Sequence, residues 1–539
     1  MVETRLAASH GVKSRQKPLF IITSMTFQQL LDGAEILSLS GNSSGSPTIS
    51  GVEYDSRGVR PGTVFVAMKG ESSDGNRFID QAIAAGAVAI VTDSTTETPR
   101  SGVAWAQASH GRRTLARLSA NFYKRPAERI ANTGITGTNG KSTTAFIFES
   151  ILNAAGRKTA LVGTIEYHVA GKVLPALHTT PEALELNQLL AEGLTQGVTE
   201  SVMEVSSHAL EQQRVFGIPF DVAVFTNLTR DHLDYHGTMD EYFRAKQVLF
   251  EGCGTDPPRA AVLNVDDEYG RDLLKLATKK SAEVFSYGLS TGDFHADTND
   301  LEITARGSRF QMSTPAGELA IWTPLIGKVN IYNVLAAAAA AYARNCSTDA
   351  ITKGIANLTH VPGRFERVDC GQPFTVVVDY AHTDDALRNL TALARDFVVR
   401  AGLKGRVITM FGCGGDRDRA KRPLMGEAAG KGSDLVVLTS DNPRSEDQLA
   451  IINDALVGLQ KSGTKYATEP DRRKAVAVAI SQARPGDIVL LAGKGHEKTQ
   501  TANGKATPFD DVEVAREMLA SLGYQCAQAN KANYAETSR

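Results

Sequence analysis

The sequence predicts an α/β protein with three domains, and three observations support that fold class. The chain has 539 residues, which is more than one hydrophobic core usually serves. Short apolar segments alternate with helical patterns along most of it, as in parallel sheets covered by helices. A glycine-rich segment at 134–142 lies between an apolar strand and a helix. We therefore expect a small α/β domain, a central doubly wound P-loop domain and a C-terminal Rossmann-like domain.

The domain boundaries are placed where the pattern along the chain changes. A helix begins near His110, and a Pro-Gly breaker follows another helix at 361–364. The first 24 residues contain one acidic residue and no signal-peptide core, so an organellar transit peptide stays open as an alternative. The expected parts are a flexible extension over 1–24 and domains over 25–110, 111–361 and 362–539.

Composition and charge exclude several classes of protein. Hydrophobic residues make up 42% and charged residues 22% of the chain, so disorder of the whole chain is excluded. The formal net charge of -2 gives no polycationic surface, so nucleic acid is not an expected partner. The longest apolar stretch, Val334 to Ala343, is roughly half the ~20 residues that a membrane-spanning helix needs. We expect a buried helix there, no membrane insertion, and a cytoplasmic monomer.

The cysteines are far apart in sequence and form no Cys-x-x-Cys pair. This spacing argues against a zinc knuckle or a disulfide framework, and it favours a reducing compartment. The five residues are Cys253, Cys346, Cys370, Cys413 and Cys526.

The glycine-rich segment reads Gly134-Ile-Thr-Gly-Thr-Asn-Gly-Lys-Ser142. Backbone N–H groups at the start of a helix bind phosphate, and glycines let the chain curl around the anion. Lys141 can bridge the outer phosphates, and the Ser142 hydroxyl can ligate magnesium. The usual first glycine position is occupied by Ile135, and a glycine-rich turn with an incidental Lys-Ser pair is the alternative. The flanking strand and helix favour a site for ATP or GTP.

Further motifs follow one another along the chain. They are Asp55-Ser-Arg57, Pro61-Gly-Thr-Val-Phe65, His178-Thr-Thr-Pro181, Glu204-Val-Ser-Ser-His208, Asn227-Leu-Thr-Arg-Asp-His-Leu-Asp234, Asp379-Tyr-Ala-His382, Asp441-Asn-Pro-Arg444 and Gly493-Lys-Gly-His-Glu497. With the glycine-rich loop, they resemble the Mur ligases and their relative folylpolyglutamate synthase, from Met25 to about Gly523. The resemblance implies an ATP-dependent amide ligase of bacterial cell-wall synthesis. It also implies that the N-terminal domain binds the UDP part of a UDP-linked muramoyl dipeptide.

The resemblance implies roles in ATP binding, metal binding and catalysis. The implied ATP-binding residues are Gly137, Thr138, Asn139, Gly140, Lys141, Ser142, Thr143, Asn330, Asn333, Asp379 and His382. The implied Mg2+ ligands are Ser142, Glu204, His208 and Lys246, the last as a carbamate formed with carbon dioxide. The implied catalytic residues are Lys141, Glu204, His208 and Lys246. From the residues alone, Lys246 lies on an amphipathic helix and is interpreted as a solvated cation, and histidine is an unusual ligand for magnesium.

A third group is implied to hold the UDP-linked substrate through hydroxyl, amide and guanidinium donors. Its members are Ser56, Arg57, Thr179, Thr180, Ser206, Gln212 and Arg214. Each could equally be a helix cap or a surface donor, and Asp-Ser-Arg could be a solvated turn, so only their co-occurrence supports the assignment.

The amino-acid pocket is the most discriminating part of the resemblance. The implied binding residues for meso-diaminopimelate are Arg417, Asp441, Asn442, Arg444, Gly493 and Glu497. An arginine fork can pair with the distal carboxylate of this amino acid, which lysine lacks, and Glu497 can hold the distal ammonium. A surface charge in a proline turn is the alternative for Arg444.

Three other functions stay open at this point. They are a lysine-adding ligase, a folylpolyglutamate synthase and a nucleotide-binding scaffold without turnover. One departure from the Mur ligase pattern is that Asp384 stands where Tyr-Ala-His-x-Pro has proline, so the loop there could be less rigid. Because water competes for an acyl phosphate, we expect the C-terminal domain to close over the central one.

Overall fold

The computed structural model describes residues 25–40, 46–70, 73–297, 299–304, 306–400 and 404–526. The extension expected over 1–24 lies outside these residues. The described chain forms two compact units, the first of which runs to Pro126 and also includes Ala183–Thr195. The helix near His110, expected to open the central domain, is therefore part of the first unit.

The first unit is built on a five-stranded sheet with the order β2-β7-β6-β5-β4, in which only the β2–β7 pair is antiparallel. Side chains of β5 alternate between two cores, with Val64 and Val66 in one and Phe65 and Ala67 in the other. Its elements are β1 (Met25–Thr26), α1 (Phe27–Leu30), β2 (Ile36–Ser40), β3 (Thr48–Ile49), β4 (Gly51–Glu53), β5 (Thr63–Ala67), α2 (Ile79–Ala84), β6 (Ala87–Thr92), β7 (Ala104–Ala108) and α3 (Gly111–Phe122).

The second unit begins with a twelve-stranded sheet whose parallel centre has the order β9-β12-β8-β13-β14-β15-β16. Its elements are β8 (Ala131–Thr136), α4 (Lys141–Ala154), β9 (Thr159–Val162), β10 (Glu166–Val169), β11 (Lys172–Pro175), β12 (Glu200–Glu204), α6 (Ser207–Glu211), β13 (Phe220–Phe225), α7 (Leu233–His236), α8 (Met239–Glu251), β14 (Ala260–Asn264), α9 (Glu268–Lys280), β15 (Glu283–Gly288), β16 (Phe294–Ala296), β17 (Glu302–Thr304), β18 (Gly307–Thr314), β19 (Gly317–Thr323), α10 (Lys328–Ala343) and α11 (Thr348–Asn357). The intervening helix, α5 (Ala183–Thr195), contacts α3 within the first unit.

A six-stranded sheet with the order β20-β21-β25-β22-β23-β24 completes the second unit, and only its β20–β21 pair is antiparallel. Parallel strands buried on both faces read as continuous apolar runs, and Ile488–Ala492 is such a run. Its elements are β20 (Glu366–Val368), β21 (Thr375–Asp379), α12 (Asp384–Arg400), β22 (Val407–Cys413), α13 (Lys421–Gly432), β23 (Leu435–Ser440), α14 (Gln448–Lys461), β24 (Lys465–Thr468), α15 (Arg472–Ser481), β25 (Ile488–Ala492), β26 (Thr499–Ala502), β27 (Lys505–Pro508) and α16 (Asp511–Ser521).

The predicted α/β fold class is confirmed, including the buried alanine-rich helix within α10. None of the described helices is long and apolar enough to cross a membrane. The expectation of unpaired cysteines is wrong for one pair, because Cys370 and Cys526 form a disulfide bond. Their separation of 156 residues hid this contact, which the fold creates by returning the chain after α16 to the segment between β20 and β21.

Candidate active site

The predicted phosphate loop connects the end of β8 to the first turn of α4. Gly137 and Gly140 both have positive φ angles, of 144° and 87°. A Cβ atom at Gly137 would lie 1.9 Å from the Thr226 hydroxyl, and one at Gly140 would lie 2.5 Å from the Asn333 side-chain oxygen. Only glycine fits these two positions, which explains the composition of the loop.

Two side chains of the loop face the end of the neighbouring strand β12. Its register pairs Glu204 with Ile135, so the Glu204 carboxylate reaches the start of α4. Ser142 Oγ donates to Glu204 Oε2 over 3.0 Å. Lys141 Nζ folds back and donates to the carbonyls of Gly137 and Thr138 at 3.0 and 2.9 Å. The lysine, serine and carboxylate thus lie together at the carboxyl end of the parallel strands.

Lys246 lies on α8 and is 1% exposed, so its interpretation as a solvated cation is wrong. Its Nζ donates to the Gly137 carbonyl over 2.9 Å and lies 4.6 Å from the centre of the Tyr242 ring. Burial, together with the nearby Lys141 cation, lowers the pKa of Lys246 well below its usual value. An amine next to the phosphate loop is therefore biased toward its neutral form.

His208 lies in a cluster of aromatic rings beside the phosphate loop. Its ring centre is 4.1 Å from that of Tyr235, 4.9 Å from that of His232 and 5.4 Å from that of His236. Within the described part of the chain, no group of three or more His, Cys, Asp or Glu side chains is arranged to hold a metal ion. The Glu204 carboxylate instead accepts hydrogen bonds from Ser142 and from the Thr164 backbone and hydroxyl.

The four residues expected to bind ATP from outside the glycine-rich loop and its helix are in two places. Asn333 Oδ1 accepts from Thr144 Oγ1 over 3.3 Å, and its Nδ2 donates to Asn330 Oδ1, so both asparagines adjoin the phosphate loop. Asp379 ends β21, where its carboxylate accepts from the backbone N–H groups of Phe365 and Ala381. Burial raises the pKa of Asp379. His382 Nδ1 lies 2.9 Å from the Tyr380 carbonyl, just before α12.

Arg364 is a site residue that the sequence reasoning missed, because the Pro-Gly-Arg segment was used only as a domain boundary. Its Nη2 donates to Ser142 Oγ over 3.3 Å, and its guanidinium stacks on the Tyr380 ring at 4.5 Å. A cation from the C-terminal part of the chain therefore lies beside the phosphate loop. The available signal was an arginine directly after the Pro-Gly breaker at the predicted domain boundary.

Two more contacts join the central sheet to the C-terminal sheet. Asn139 Nδ2, in the phosphate loop, donates to Asp385 Oδ2 over 3.0 Å. Arg230 forms an ion pair with Asp418 over 3.0 Å. The two sheets of the second unit thus contact each other through polar groups at the phosphate loop.

Five of the residues expected to bind the UDP-linked substrate gather at the end of β12. Thr180 Oγ1 donates to the Glu204 carbonyl, and the Arg214 guanidinium donates to the Thr180 carbonyl and to Gln212 Oε1. Ser206 Oγ accepts from Ala209 N–H and so caps α6, which is the alternative role considered for it. Thr179 completes the group, with its hydroxyl 3.1 Å from that of Thr164.

Ser56 and Arg57 belong to the first unit, in a short 3-10 turn that Asp55 caps. Arg57 is paired with the Asp55 carboxylate at 2.6 Å, and its side chain is 84% exposed. The hydrogen bond from Arg57 lowers the pKa of the Asp55 carboxyl below its usual value. The local geometry is that of a solvated turn, and a ligand phosphate or uracil would have to compete with Asp55 for this guanidinium.

The six residues expected to bind the amino acid lie at the carboxyl ends of β22, β23 and β25. Asp441 and Asn442 follow β23, and Gly493 follows β25 with a φ angle of 114°. Asn442 Nδ2 donates to Glu497 Oε2 over 2.8 Å. In open parallel sheets this edge is where ligands bind.

The two arginines of this set lie by the Gly414–Gly415 turn that follows β22. Arg444 Nη1 donates to the Gly415 carbonyl at 2.5 Å, so its side chain points into the turn and not into bulk solvent. A Cβ atom on Gly414 would lie 3.1 Å from Arg444 Nη1 and 3.8 Å from Arg417 Cγ. The Arg444 guanidinium and the aliphatic part of Arg417 therefore flank the same small residue. An arginine fork at such a place can donate two hydrogen bonds to a carboxylate.

The fold and the site define a multidomain P-loop enzyme with a second, arginine- and carboxylate-lined site on a Rossmann-like sheet. Residues 48–123 match the Mur ligase family, catalytic domain, residues 135–341 match the Mur ligase middle domain, and residues 363–495 match the Mur ligase, glutamate ligase domain. The chain belongs to the Mur ligase family. It is accordingly an ATP-dependent, amide-forming ligase.

Two relatives carry the name UDP-N-acetylmuramoyl-L-alanyl-D-glutamate--2,6-diaminopimelate ligase. The one from Solibacter usitatus is 54% identical, over 89% of this chain and 95% of its own length. The one from Geobacillus thermodenitrificans is 46% identical, over 88% of this chain and 95% of its own length.

Solved structures give the same picture of the fold. A ligase structure with the same name aligns with a TM-score of 0.64 at 32% identity, over 93% of this chain and all of that chain. MurF ligase from Thermotoga maritima in complex with ADP aligns with a TM-score of 0.58 over 87% of this chain and 97% of that chain. Its identity is 20%, so this second likeness concerns the fold alone.

Proposed function

We propose that this enzyme uses ATP to join meso-2,6-diaminopimelate to the D-glutamyl carboxylate of UDP-N-acetylmuramoyl-L-alanyl-D-glutamate, in peptidoglycan precursor synthesis. The observation that carries the proposal is the pocket in which Arg444 and Arg417 flank Gly414 while Asp441 and Glu497 lie at the neighbouring strand ends. Such a pocket complements an amino acid whose distal end has both a carboxylate and an ammonium group. The names of the relatives support the same substrate pair.

The proposed reaction has two chemical steps. An oxygen of the D-glutamyl carboxylate attacks the γ-phosphorus of ATP, the bond to the β-phosphate oxygen breaks, and an acyl phosphate and ADP form. The neutral amine of the amino acid then attacks the acyl carbon, loses a proton, and phosphate leaves with the electrons of the C–O bond. Lys141 and Arg364 are the cations placed to offset charge on the transferred phosphoryl group.

Magnesium fits the oxygen donors next to the phosphate loop. Ser142 and Glu204 offer a hydroxyl and a carboxylate within 3.0 Å of each other, and hard oxygen donors are the ligands that Mg2+ prefers. We propose that these two residues hold the ion, with His208 as a further candidate ligand. When bound, magnesium offsets negative charge on the ATP phosphates.

We also propose that Lys246 reacts with carbon dioxide to form a carbamate. Carbamate formation requires the neutral amine, and burial beside Lys141 favours that form. The product would place an anionic oxygen pair beside the Gly137 carbonyl, where Lys246 Nζ lies now. Carbon-13 NMR of the enzyme in labelled bicarbonate should then show a carbamate signal that is absent from a Lys246→Ala variant.

The preference for diaminopimelate over lysine follows from the same pocket. Lysine lacks the distal carboxylate, so it would leave Arg444 without its ligand and would bring no negative charge to offset the repulsion between its ammonium group and this guanidinium. A charge-assisted hydrogen bond contributes about 1.5 to 3 kcal/mol, which corresponds to roughly a 10- to 150-fold preference.

The test is a product analysis by mass with ATP, the UDP-dipeptide and a panel of diamino acids. The wild-type enzyme should form the diaminopimelate adduct and release ADP only when both acceptor and amino acid are present. Arg444→Ala should raise the KM for diaminopimelate by about 10- to 150-fold and reduce the discrimination against lysine. Arg419→Ala is the matched control, since Arg419 is 66% exposed and pairs with Asp454. Wild-type preference for lysine, or ADP release without the acceptor, would refute the proposal.

A further inference from the structure

A buried lysine that none of the preceding assignments uses lies at the centre of the amino-acid site. Lys494 is fully buried between Gly493 and Gly495. Its Nζ donates to Asn442 Oδ1 over 3.1 Å, to the Thr499 carbonyl over 2.8 Å and to Glu497 Oε2 over 3.3 Å. An ammonium group has three N–H donors, so these three acceptors use all of them.

These contacts fix the orientation of the Asn442 amide. Its Oδ1 accepts from Lys494 Nζ and also from the Thr501 backbone N–H over 2.9 Å. Because two donors face the oxygen, the Nδ2 end must point the other way, where it donates to Glu497 Oε2 over 2.8 Å. Lys494 therefore orients the Asn442 amide. It also orients the Glu497 carboxylate, both by its own hydrogen bond and through that amide.

Asp441 is held differently. Its Oδ1 lies 3.3 Å from Lys494 Nζ, close enough for charge attraction. The same oxygen is buried and accepts no hydrogen bond from any described residue, because the three N–H donors of Lys494 are directed elsewhere. A buried carboxylate oxygen that lies near a cation but accepts no hydrogen bond can accept one from an N–H group of a ligand.

We propose that Lys494 is a positioning residue for the amino-acid substrate: it holds the Asp441 carboxylate and, together with the Asn442 amide, orients the Glu497 carboxylate, so that the two carboxylates bind the substrate's ammonium group. This inference rests on the proposed function, whose amino-acid site contains these three residues. Without Lys494, the buried Asp441 and the partly exposed Glu497 would lose the cation that lies 3.3 Å from both, and the Asn442 amide would lose one of the two donors that orient it. The defect should therefore appear in binding of the amino acid and not in use of ATP.

The experiment measures kcat and the three KM values of the full-length enzyme. Lys494→Met, which keeps an unbranched side chain one atom shorter and without the charge, should raise the KM for diaminopimelate by about 30-fold while the KM values for ATP and the UDP-dipeptide stay within about twofold. Lys494→Arg keeps the charge but cannot place it at one point among the same oxygens, so it should raise the diaminopimelate KM by about fivefold. A larger rise for methionine than for arginine is the expected order.

Arg406→Met is the matched control. Arg406 pairs with the buried Asp487 carboxylate over 2.7 Å, at the start of β22 and β25, the opposite end of the strands from Lys494. The Arg406→Met variant also leaves a buried carboxylate without its ion-pair partner. It should therefore lower the midpoint temperature of thermal unfolding and leave all three KM values unchanged.

Two results would overturn the inference. They are an unchanged diaminopimelate KM in the Lys494 variants, or a rise of all three KM values together. If the methionine variant does not fold, the arginine variant decides, and an unchanged diaminopimelate KM in that folded protein is sufficient to reject the role of Lys494. A wild-type enzyme that does not use diaminopimelate would refute the proposed function instead, so the two failures are distinguishable.

Discussion

Lys246 in the central sheet and Lys494 in the C-terminal sheet are both buried lysines next to a candidate binding site, yet their surroundings differ. Lys246 contacts the Gly137 carbonyl and the Tyr242 ring, and among the described residues it forms no ion pair. Lys494 lies 3.3 Å from a carboxylate oxygen of Asp441 and of Glu497. Burial alone therefore does not determine the chemical role of a lysine.

The physical reason is the cost of a buried charge. A lysine without a counter-ion avoids that cost by losing its proton, and the low pKa of Lys246 follows from burial and the nearby Lys141. A lysine between carboxylates has its charge offset by them and holds those carboxylates in place. One environment therefore favours chemistry on the amine, and the other favours a fixed structural cation.

The largest expected effect comes from removing Lys246. Lys246→Ala should lower kcat by about 1000-fold, because the anionic group proposed to form there would be absent from the phosphoryl-transfer site. Formate or acetate should restore part of the activity by supplying a carboxylate, whereas neither acid should rescue Lys494→Ala, which lacks a cation. Steady-state ADP release measures both responses.

The control for this prediction is Lys275→Ala, since Lys275 is 76% exposed on α9. It should retain full activity. Activity of Lys246→Ala within about tenfold of the wild type would exclude a carbamate role for Lys246 and remove the contrast between the two lysines.

A third buried cation tests the physical basis of the comparison. His168 is 15% exposed in its side chain, and its ring nitrogens lie 2.6 Å from Glu149 and 3.0 Å from Glu166. Burial alone would lower its pKa, but hydrogen bonds to the two carboxylates outweigh it and raise the pKa of His168 to about 9. This imidazole, like the Lys494 ammonium group, thus lies between two carboxylates.

The raised pKa predicts a pH dependence of stability. The stabilisation should be complete below the unfolded-state pKa of about 6.5, decrease as the pH rises, and be lost above about 9. Relative to His168→Gln, the wild-type free energy of unfolding should therefore decrease by about 3 kcal/mol between these limits. Denaturant midpoints of both proteins across this range measure it. A difference between them that does not change with pH would contradict the argument.

The smallest expected effect concerns Asp384, which replaces the proline of the Mur ligase pattern. Asp384 is the first residue of α12, and Thr383 caps this helix by accepting from Ala386 N–H over 3.1 Å. The Asp384 Oδ2 atom pairs with Arg388 over 2.8 Å, and the buried Asp384 Oδ1 atom accepts no hydrogen bond within the described structure. The carboxylate is thus only half satisfied.

Asp384→Pro should change kcat and the ATP KM by less than about twofold, because proline is suited to the first position of a helix. The free energy of unfolding should rise by at most about 1 kcal/mol, as loss of the ion pair offsets part of the gain from a stiffer unfolded chain. Asp384→Ala separates the two contributions, since it removes the carboxylate without adding proline. A large rise in the ATP KM of the proline variant would mean that Asp384 orients the neighbouring phosphate-loop contact of Asp385.

Much of the fold could be predicted from local sequence. The predicted strand before the phosphate loop is observed as Ala131–Thr136, and the predicted helix after the loop is observed as Lys141–Ala154. These elements are determined by apolar runs, glycines and caps within a few residues of each other. The membership of α3 and α5 in the first unit could not be predicted, because it depends on packing between segments some sixty residues apart.

The candidate site divides in the same way. The phosphate loop was proposed from its own residues and the flanking strand and helix, and the amino-acid site was proposed from the resemblance of its motifs to those of the Mur ligases. Arg364 and Lys494 were missed because a single cation in a sequence has no partner until the fold brings one to it. The reading of Lys246 as a solvated cation was wrong for the same reason, since its burial depends on how α8 packs.

The sequence by itself therefore determined the class of fold, the order of its parts and the chemistry of its two main motifs, since these depend on neighbours along the chain. Only the tertiary structure decided which buried cations meet carboxylates, and that Cys370 meets Cys526. The physical reason is that the pKa of a lysine and the orientation of an amide depend on atoms within a few ångströms in space. Those atoms come from strands and loops that are distant in the sequence.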